Sequence, residues 1–205
     1  MRMGHKRLAV WTVVGSLLLM GVTSIVEAGE PLEKVRQTIN SVLDVLSNQA
    51  LPEQERKAKV REVVLQRFNF EEMAKRSLGR HWPKRTPEEQ QEFFQLFTDL
   101  IEKSYIDKIE QSEGKETIKY TEETIENGNA SVQTTLVKER DQNIGVEYRL
   151  VKRNGDWKVY DVVIERVSLV SNYRTQFNKI LLQESYEALI KKMKLKSEQL
   201  QAVTQ

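Results

Sequence analysis

The chain has 205 residues, 39% of them hydrophobic and 30% charged, a balance that excludes a disordered chain and suits one soluble domain. Three of its 32 basic and one of its 30 acidic residues fall within residues 1–28. The remainder is therefore charge-balanced and lacks the positive excess that nucleic-acid binding calls for. Cysteine is absent, which removes disulfides, thiolate metal sites, cysteine nucleophiles and lipid attachment through an N-terminal cysteine.

Arg2, Lys6 and Arg7 open the chain, Leu8–Val26 carries no charge, and Val26-Glu27-Ala28 precedes Gly29. A basic start, an apolar run and small residues around a cut make a secretory signal peptide over residues 1–28, with one domain over 29–205. The 19-residue apolar run is also long enough for an uncleaved anchor. The folded part is expected outside the cytoplasm.

Leu32, Val35, Ile39, Val42, Leu43 and Leu46 recur at helical steps, predicting a helix over Pro31–Leu46. A second helix restarts at Leu51-Pro52 and turns Val60, Val63, Val64 and Phe68 inward. Phe70–Leu78 makes a short third helix stopped by Gly79, followed by a turn at His81-Trp82-Pro83. Thr86-Pro87-Glu88-Glu89 starts a fourth helix running to about Gln111. Its apolar residues, Phe93 to Tyr105, cover about half the circumference, more than one core contact needs.

From Thr117 the period becomes two. Runs 117–126 and 129–138 meet at Asn127-Gly128, and runs 144–153 and 156–164 at Asn154-Gly155, both strong hairpin signals. Val-Ser-Leu (167–169) links the last strand to a helix carrying Tyr173, Phe177, Ile180 and Leu181, and helix continues to about Leu200. Fold class follows: α+β, with helices packed over a curved antiparallel sheet of four or more strands and something apolar between them.

No nucleophile elbow, phosphate loop or dinucleotide fingerprint occurs. His81 is the one histidine beyond the leader, so no histidine-rich metal site is expected. Asp161, set within an apolar strand, is the one carboxylate that invites a general-base reading. Its ordinary role is pairing, with Arg174 as candidate partner. The lysines at 191, 192, 194 and 196 read as a solvated helical face or a docking patch.

Four blocks carry a resemblance: F-N-F-E-E-M-A-K-R-S-L-G-R-H-W (68–82), T-P-E-E-Q-Q-E-F-F-Q-L-F (86–97), the strand around Tyr148, and D-W-K-V-Y-D-V-V-I-E-R-V-S-L-V-S-N-Y-R-T-Q-F (156–177). In these the chain resembles the MlaC family of periplasmic phospholipid carriers, also called toluene-tolerance auxiliary proteins. The resemblance implies a deep apolar pocket between helices and sheet that holds acyl chains while the headgroup faces water. It implies phospholipid as cargo and no cofactor or enzymatic activity. As partners it implies an outer-membrane lipoprotein complex and an inner-membrane Mla-type ABC transporter, served by a monomeric periplasmic shuttle.

Two positions depart from the family pattern. Asn69 stands where Asp is usual, which keeps a helix cap without its charge. Arg166 stands where a Gly usually precedes V-S-L, which removes an easy positive φ.

Exposing acyl chains to water costs about 0.8 kcal/mol per methylene, so two chains of ~15 carbons cost on the order of 20 kcal/mol. A soluble carrier therefore needs a dry cavity lined by aliphatic and aromatic side chains. The expected lining is Phe93, Phe97, Leu100, Ile101, Tyr105, Val146, Tyr148, Val163, Val167, Leu169, Tyr173 and Phe177, although plain core selects the same residue types. Trp157, Asp161 and Arg174 are expected to fix the strand–helix corner. Two other readings compete: a small pocketed enzyme with Asp161 as base, and a non-lipid adaptor with a solid core.

Overall fold

The structure, a computed structural model, describes residues 29–106, 109, 114–137 and 142–204; the leader lies outside the described residues. Six helices and five strands follow in chain order. Helix α1 (Glu30–Ser47) has no side-chain cap of its own. Glu123 of strand β1 (Thr117–Glu126) supplies one, accepting the Gly29 and Leu32 N–H groups at 2.8 Å each, so the sheet satisfies the helix's orphan donors.

Helices α2 (Glu53–Arg67) and α3 (Phe70–Leu78) meet at Asn69. Its side chain accepts from the Glu72 N–H at 2.9 Å, so the cap survives the loss of charge. A 3-10 segment (Gly79–Lys84) leads to α4 (Pro87–Ile101), whose start is a full capping box between Thr86 and Glu89. The expected fourth helix does not run uniformly to Gln111. It widens into a π turn at Glu102–Ile106, and residues 107, 108 and 110–113 are outside the described ones.

Strands β1, β2 (Asn129–Val137), β3 (Ile144–Arg153), β4 (Asp156–Ile164) and β5 (Val167–Ser168) lie side by side in that order, all antiparallel. Both Asn-Gly turns adopt positive φ at both residues, 49° and 73° at Asn127 and Gly128, 50° and 83° at Asn154 and Gly155, as a tight hairpin requires.

The Val-Ser-Leu linker is itself a strand. Val167 pairs with Ile164 and Ser168 with Val163, across a turn in which Glu165 and Arg166 have φ of 47° and 68°. Arg166 thus adopts the left-handed backbone that the missing glycine would have eased. Ser168 then caps α5 (Leu169–Gln183) by accepting from the Ser171 N–H at 3.0 Å, and α6 (Tyr186–Thr204) completes the chain.

Burial divides into two cores. One is purely helical, built from α2, α3, α4, α5, α6 and the end of α1, with Phe93, Phe97 and Phe177 at its centre. The other lies between α1 and the sheet, with Leu32 and Val35 against Val132, Leu150, Trp157 and Val159. Phe68, Tyr105 and Tyr173 touch both.

A bulge in β4 decides which side chains face the second core. Arg149 and Leu150 of β3 sit opposite Asp161 and Val159, leaving Tyr160 as the extra residue. The parity of the strand flips there. Trp157 and Val159 face inward before the bulge; Val162, paired with Tyr148, and Ile164, paired with Val146, face inward after it.

Candidate functional site: an apolar face that opens toward one rim

Along the inner face of the sheet, β3 and β4 become less buried from the Leu150 end toward the Ile164 end, although Thr134 and Val162 stay enclosed and Ile125, on the edge strand, is exposed. Val132, Leu150 and Val159 are fully enclosed, Tyr148 and Val146 are half-buried, and Ile164 is 36% exposed. Val167, on the same face by its pairing with Ile164, is 59% exposed. Leu136 and Ile144, paired across β2 and β3, are half-buried as well. The result is an apolar surface with a closed floor and an open rim.

Tyr148 shows how deep this surface runs. It keeps accessible area, yet burial pushes its phenol up to about 12. Its ring sits where the closed floor of this face gives way to the open rim. Two tyrosines from the helical layer close over it. Burial raises Tyr105 to about 12, with the neighbouring Tyr173 adding to the shift. Tyr173 is likewise raised by burial, with Ser104 and Tyr105 beside it drawing it back. Tyr120, paired with Thr134 on the same face, has its hydroxyl enclosed without a hydrogen-bond partner, which is a cost to the fold.

The twelve expected lining residues separate into three sets. Tyr105, Val146, Tyr148, Leu169 and Tyr173 border the sheet-side core. Phe93, Phe97, Ile101 and Phe177 belong to the helical core, and Leu100 is buried on the same helix. There Phe93 and Phe97 stack at 6.0 Å, Phe177 meets Phe93 edge-on at 5.5 Å, and Tyr173 meets Phe97 edge-on at 5.6 Å. Val163 and Val167 form the third set. Val163 pairs with Glu147 and so projects on the face opposite Val146 and Tyr148; the Tyr160 bulge put it there, and Val162 holds the inward place. Val167 stands at the exposed rim.

The surplus apolar arc of α4 has a further outlet. Phe94 lines an open cleft of about 520 Å³, with Leu65, Phe68 and Phe70 beside it and Arg153 and Lys158 at its edge.

The three corner residues act in different places. Asp161, 3% exposed, does hold the corner: it accepts from the Ser168 hydroxyl at 2.6 Å and the Val170 N–H at 3.0 Å. Its cationic partner is Arg149, at 3.4 Å across the strand pair, and not Arg174. Arg174 instead donates from Nε to the Arg76 carbonyl at 2.8 Å, satisfying the C-terminal end of α3. Trp157 lies at the far end of β4, its Nε1–H donating to Glu30 at 3.1 Å and tying α1 to the sheet. With both Asp161 oxygens engaged in scaffold bonds, the general-base reading loses its residue. Among the described residues no group of three or more His, Asp or Glu is placed to hold a metal ion, and no helix is long and apolar enough to cross a membrane.

Sequence reasoning missed Val162, Ile164, Leu136, Ile144 and Tyr120. For β2 and β3 simple alternation pointed to them; for β4 the bulge concealed them.

Comparison with known proteins agrees with this architecture. A curated relative from Haemophilus influenzae, described as the intermembrane phospholipid transport system binding protein MlaC, is 26% identical over 206 residues, covering 95% of this chain and 94% of its own. Among solved structures, a phospholipid-binding protein from Ralstonia solanacearum in complex with a phospholipid superposes with a TM-score of 0.75. It covers 84% of this chain and 99% of that one at 22% identity, a likeness of fold. The family model described as MlaC protein matches residues 36–195. That span takes in the helical core, the whole sheet with its bulged strand and the open rim, and the chain belongs to the MlaC family.

Proposed function

We propose that this chain is a non-enzymatic phospholipid carrier that receives acyl chains along the inner face of the sheet, beneath Tyr105 and Tyr173. The observation that carries the reading is the graded apolar face, closed at Leu150, deep but accessible at Tyr148 and open at Ile164 and Val167. Such a gradient suits a ligand whose tail is dry and whose head is wet. The Haemophilus relative and the Ralstonia neighbour support it, since both are phospholipid-binding or phospholipid-transport proteins.

In this reading the leader directs export to the periplasm and is cut after Ala28. The monomeric carrier then exchanges lipid with an outer-membrane lipoprotein complex and an inner-membrane ABC transporter. Leu136, Ile144, Val146, Tyr148, Val162 and Ile164 contact the tails, with Val167 near the headgroup.

Native mass spectrometry of protein purified without detergent, followed by lipid extraction, tests this. Phospholipid bound at a fixed ratio is expected. An apo mass that stays unchanged after incubation with phospholipid vesicles overturns the reading in favour of an adaptor.

A further inference from the structure

At the other end of α4 from Tyr105 lies a separate cleft of about 480 Å³. Leu182 in this cleft and Leu169 beside the rim lie at opposite ends of α5, whose fifteen residues at 1.5 Å each span about 20 Å. One wall is the 3-10 segment, which offers Arg80, His81 and Lys84, with Arg85 just beyond it. The other wall is the α5–α6 junction, where Leu181 and Leu182 are apolar and Leu182 is 65% exposed.

The cations of this cleft are poorly used by the protein itself. Glu184, the one carboxylate in the lining, is taken by Lys192. Arg80 Nη2 donates to the neutral Asn178 Oδ1 at 2.9 Å, and His81 Nε2 shares that same oxygen at 3.0 Å. Arg85 lies over the Tyr186 ring at 4.8 Å, reaches Glu89 only at 3.6 Å, and leaves its enclosed Nε without a partner. Among the described residues neither Arg80 nor Lys84 has an ion-pair partner. In a chain whose charge is otherwise balanced, so local a positive excess marks a surface arranged for an anionic group.

We infer that this cleft docks an acidic peptide segment of a partner protein, with carboxylates against Arg80, Lys84 and Arg85 and an apolar side chain against Leu182. Its concave shape argues against a membrane surface, which is met by protruding or planar basic faces. The leucine wall argues against a free inorganic anion. Arginine and tyrosine beside an apolar contact are the residue types that anchor protein interfaces. Because the cleft is remote from the lipid face, docking leaves cargo in place, and the inference does not depend on the lipid reading.

Fluorescence anisotropy tests it with a labelled peptide alternating glutamate and leucine, and with a lysine–leucine counterpart. Saturable binding of the acidic peptide alone is expected, weakened about tenfold in the Arg80→Glu/Lys84→Glu protein and roughly threefold in Leu182→Ser. Lys119→Glu, on the exposed β1, should bind as the parent does. All three variants alter exposed side chains, and unchanged melting curves confirm that they fold. The inference fails if the acidic peptide does not bind, or binds the charge-reversed protein equally well. It also fails if millimolar inorganic phosphate displaces the peptide completely, or if phosphatidylglycerol vesicles bind through these residues and the peptide does not.

Discussion

In the helical core Phe93, Phe97, Met73 and Leu189 have no accessible surface, and aromatic rings meet ring to ring. On the inner face of the sheet, residues of the same chemical kind pass from enclosed to half-buried within a few positions, as from Leu150 through Tyr148 to Val146 on β3. Both regions are apolar, and composition does not distinguish them. What differs is whether each side chain has found protein on every side. The helical core is closed by folding, whereas the open end of the sheet is left uncovered, as the proposed carrier reading requires.

Substitutions should separate these two kinds of surface. Phe97→Ala, in the helical core, should lose about 3–5 kcal/mol of stability through lost contacts and a residual cavity, read by urea unfolding, with bound lipid following only the folded fraction. Asp161→Asn should cost about 2 kcal/mol, because a buried ion pair and a charge-assisted bond to the Val170 N–H weaken together. If it instead left stability intact and abolished a chemical conversion of lipid, the scaffold role would be wrong.

Val146→Glu is the sharpest discriminator. A carboxylate near the open rim can reach water, so stability should fall by only about 1 kcal/mol. Co-purified lipid should drop at least about tenfold, since an ionised group would have to share the recess with hydrocarbon. Should it unfold the protein as thoroughly as Phe97→Ala, the face would be ordinary core and the comparison would collapse.

Smaller effects test the frame. Arg166→Gly should raise stability by about 0.5–1 kcal/mol, relief of the left-handed backbone outweighing the added freedom of the unfolded chain. The urea midpoint should move without a change of slope. The smallest effect belongs to Asp156. Burial pushes its carboxyl up, but hydrogen bonds from Lys158 and Arg67 outweigh that and hold it at about 2. Because the folded value lies below the unfolded one, its contribution is fully present above about pH 4 and is lost as pH falls toward 2. The side chain is over a third exposed, so Asp156→Asn should flatten that acid limb by under about 1 kcal/mol.

Much of the fold was legible from local signals. Asn-Gly pairs demand tight turns, Thr86-Pro87 with Glu89 demands a helix start, and the change of period at Ser168 marks the last strand-to-helix passage. The family likeness between residues 68 and 177 pointed to the ligand class. What stayed hidden was parity. Alternation read straight through β4 groups Trp157, Val159, Asp161 and Val163, and only the unpaired Tyr160 shows that the last two turn away. No short pattern announces a bulge, because it is fixed by pairing with a strand whose own sequence is unremarkable at that point. Arg174 was misassigned for a related reason: a helical cation has several acceptors within reach, and only packing selects the Arg76 carbonyl. The division of apolar residues between finished core and open face was equally beyond the sequence, since both environments select the same side chains.

The clasp of Glu123 around the start of α1 has a consequence for maturation. Both carboxylate oxygens crowd residue 29 so closely that an added Cβ would lie 2.5 Å from the nearer one, so any larger residue there would displace the Glu123 side chain. Cleavage after Ala28, as proposed, would turn the Gly29 amide into an α-ammonium group. An amide hydrogen bond of 2.8 Å would then become an ion pair. Export and processing would thus tighten the same carboxylate that anchors the first helix to the edge of the sheet, so that the mature N-terminus becomes a structural part of the fold.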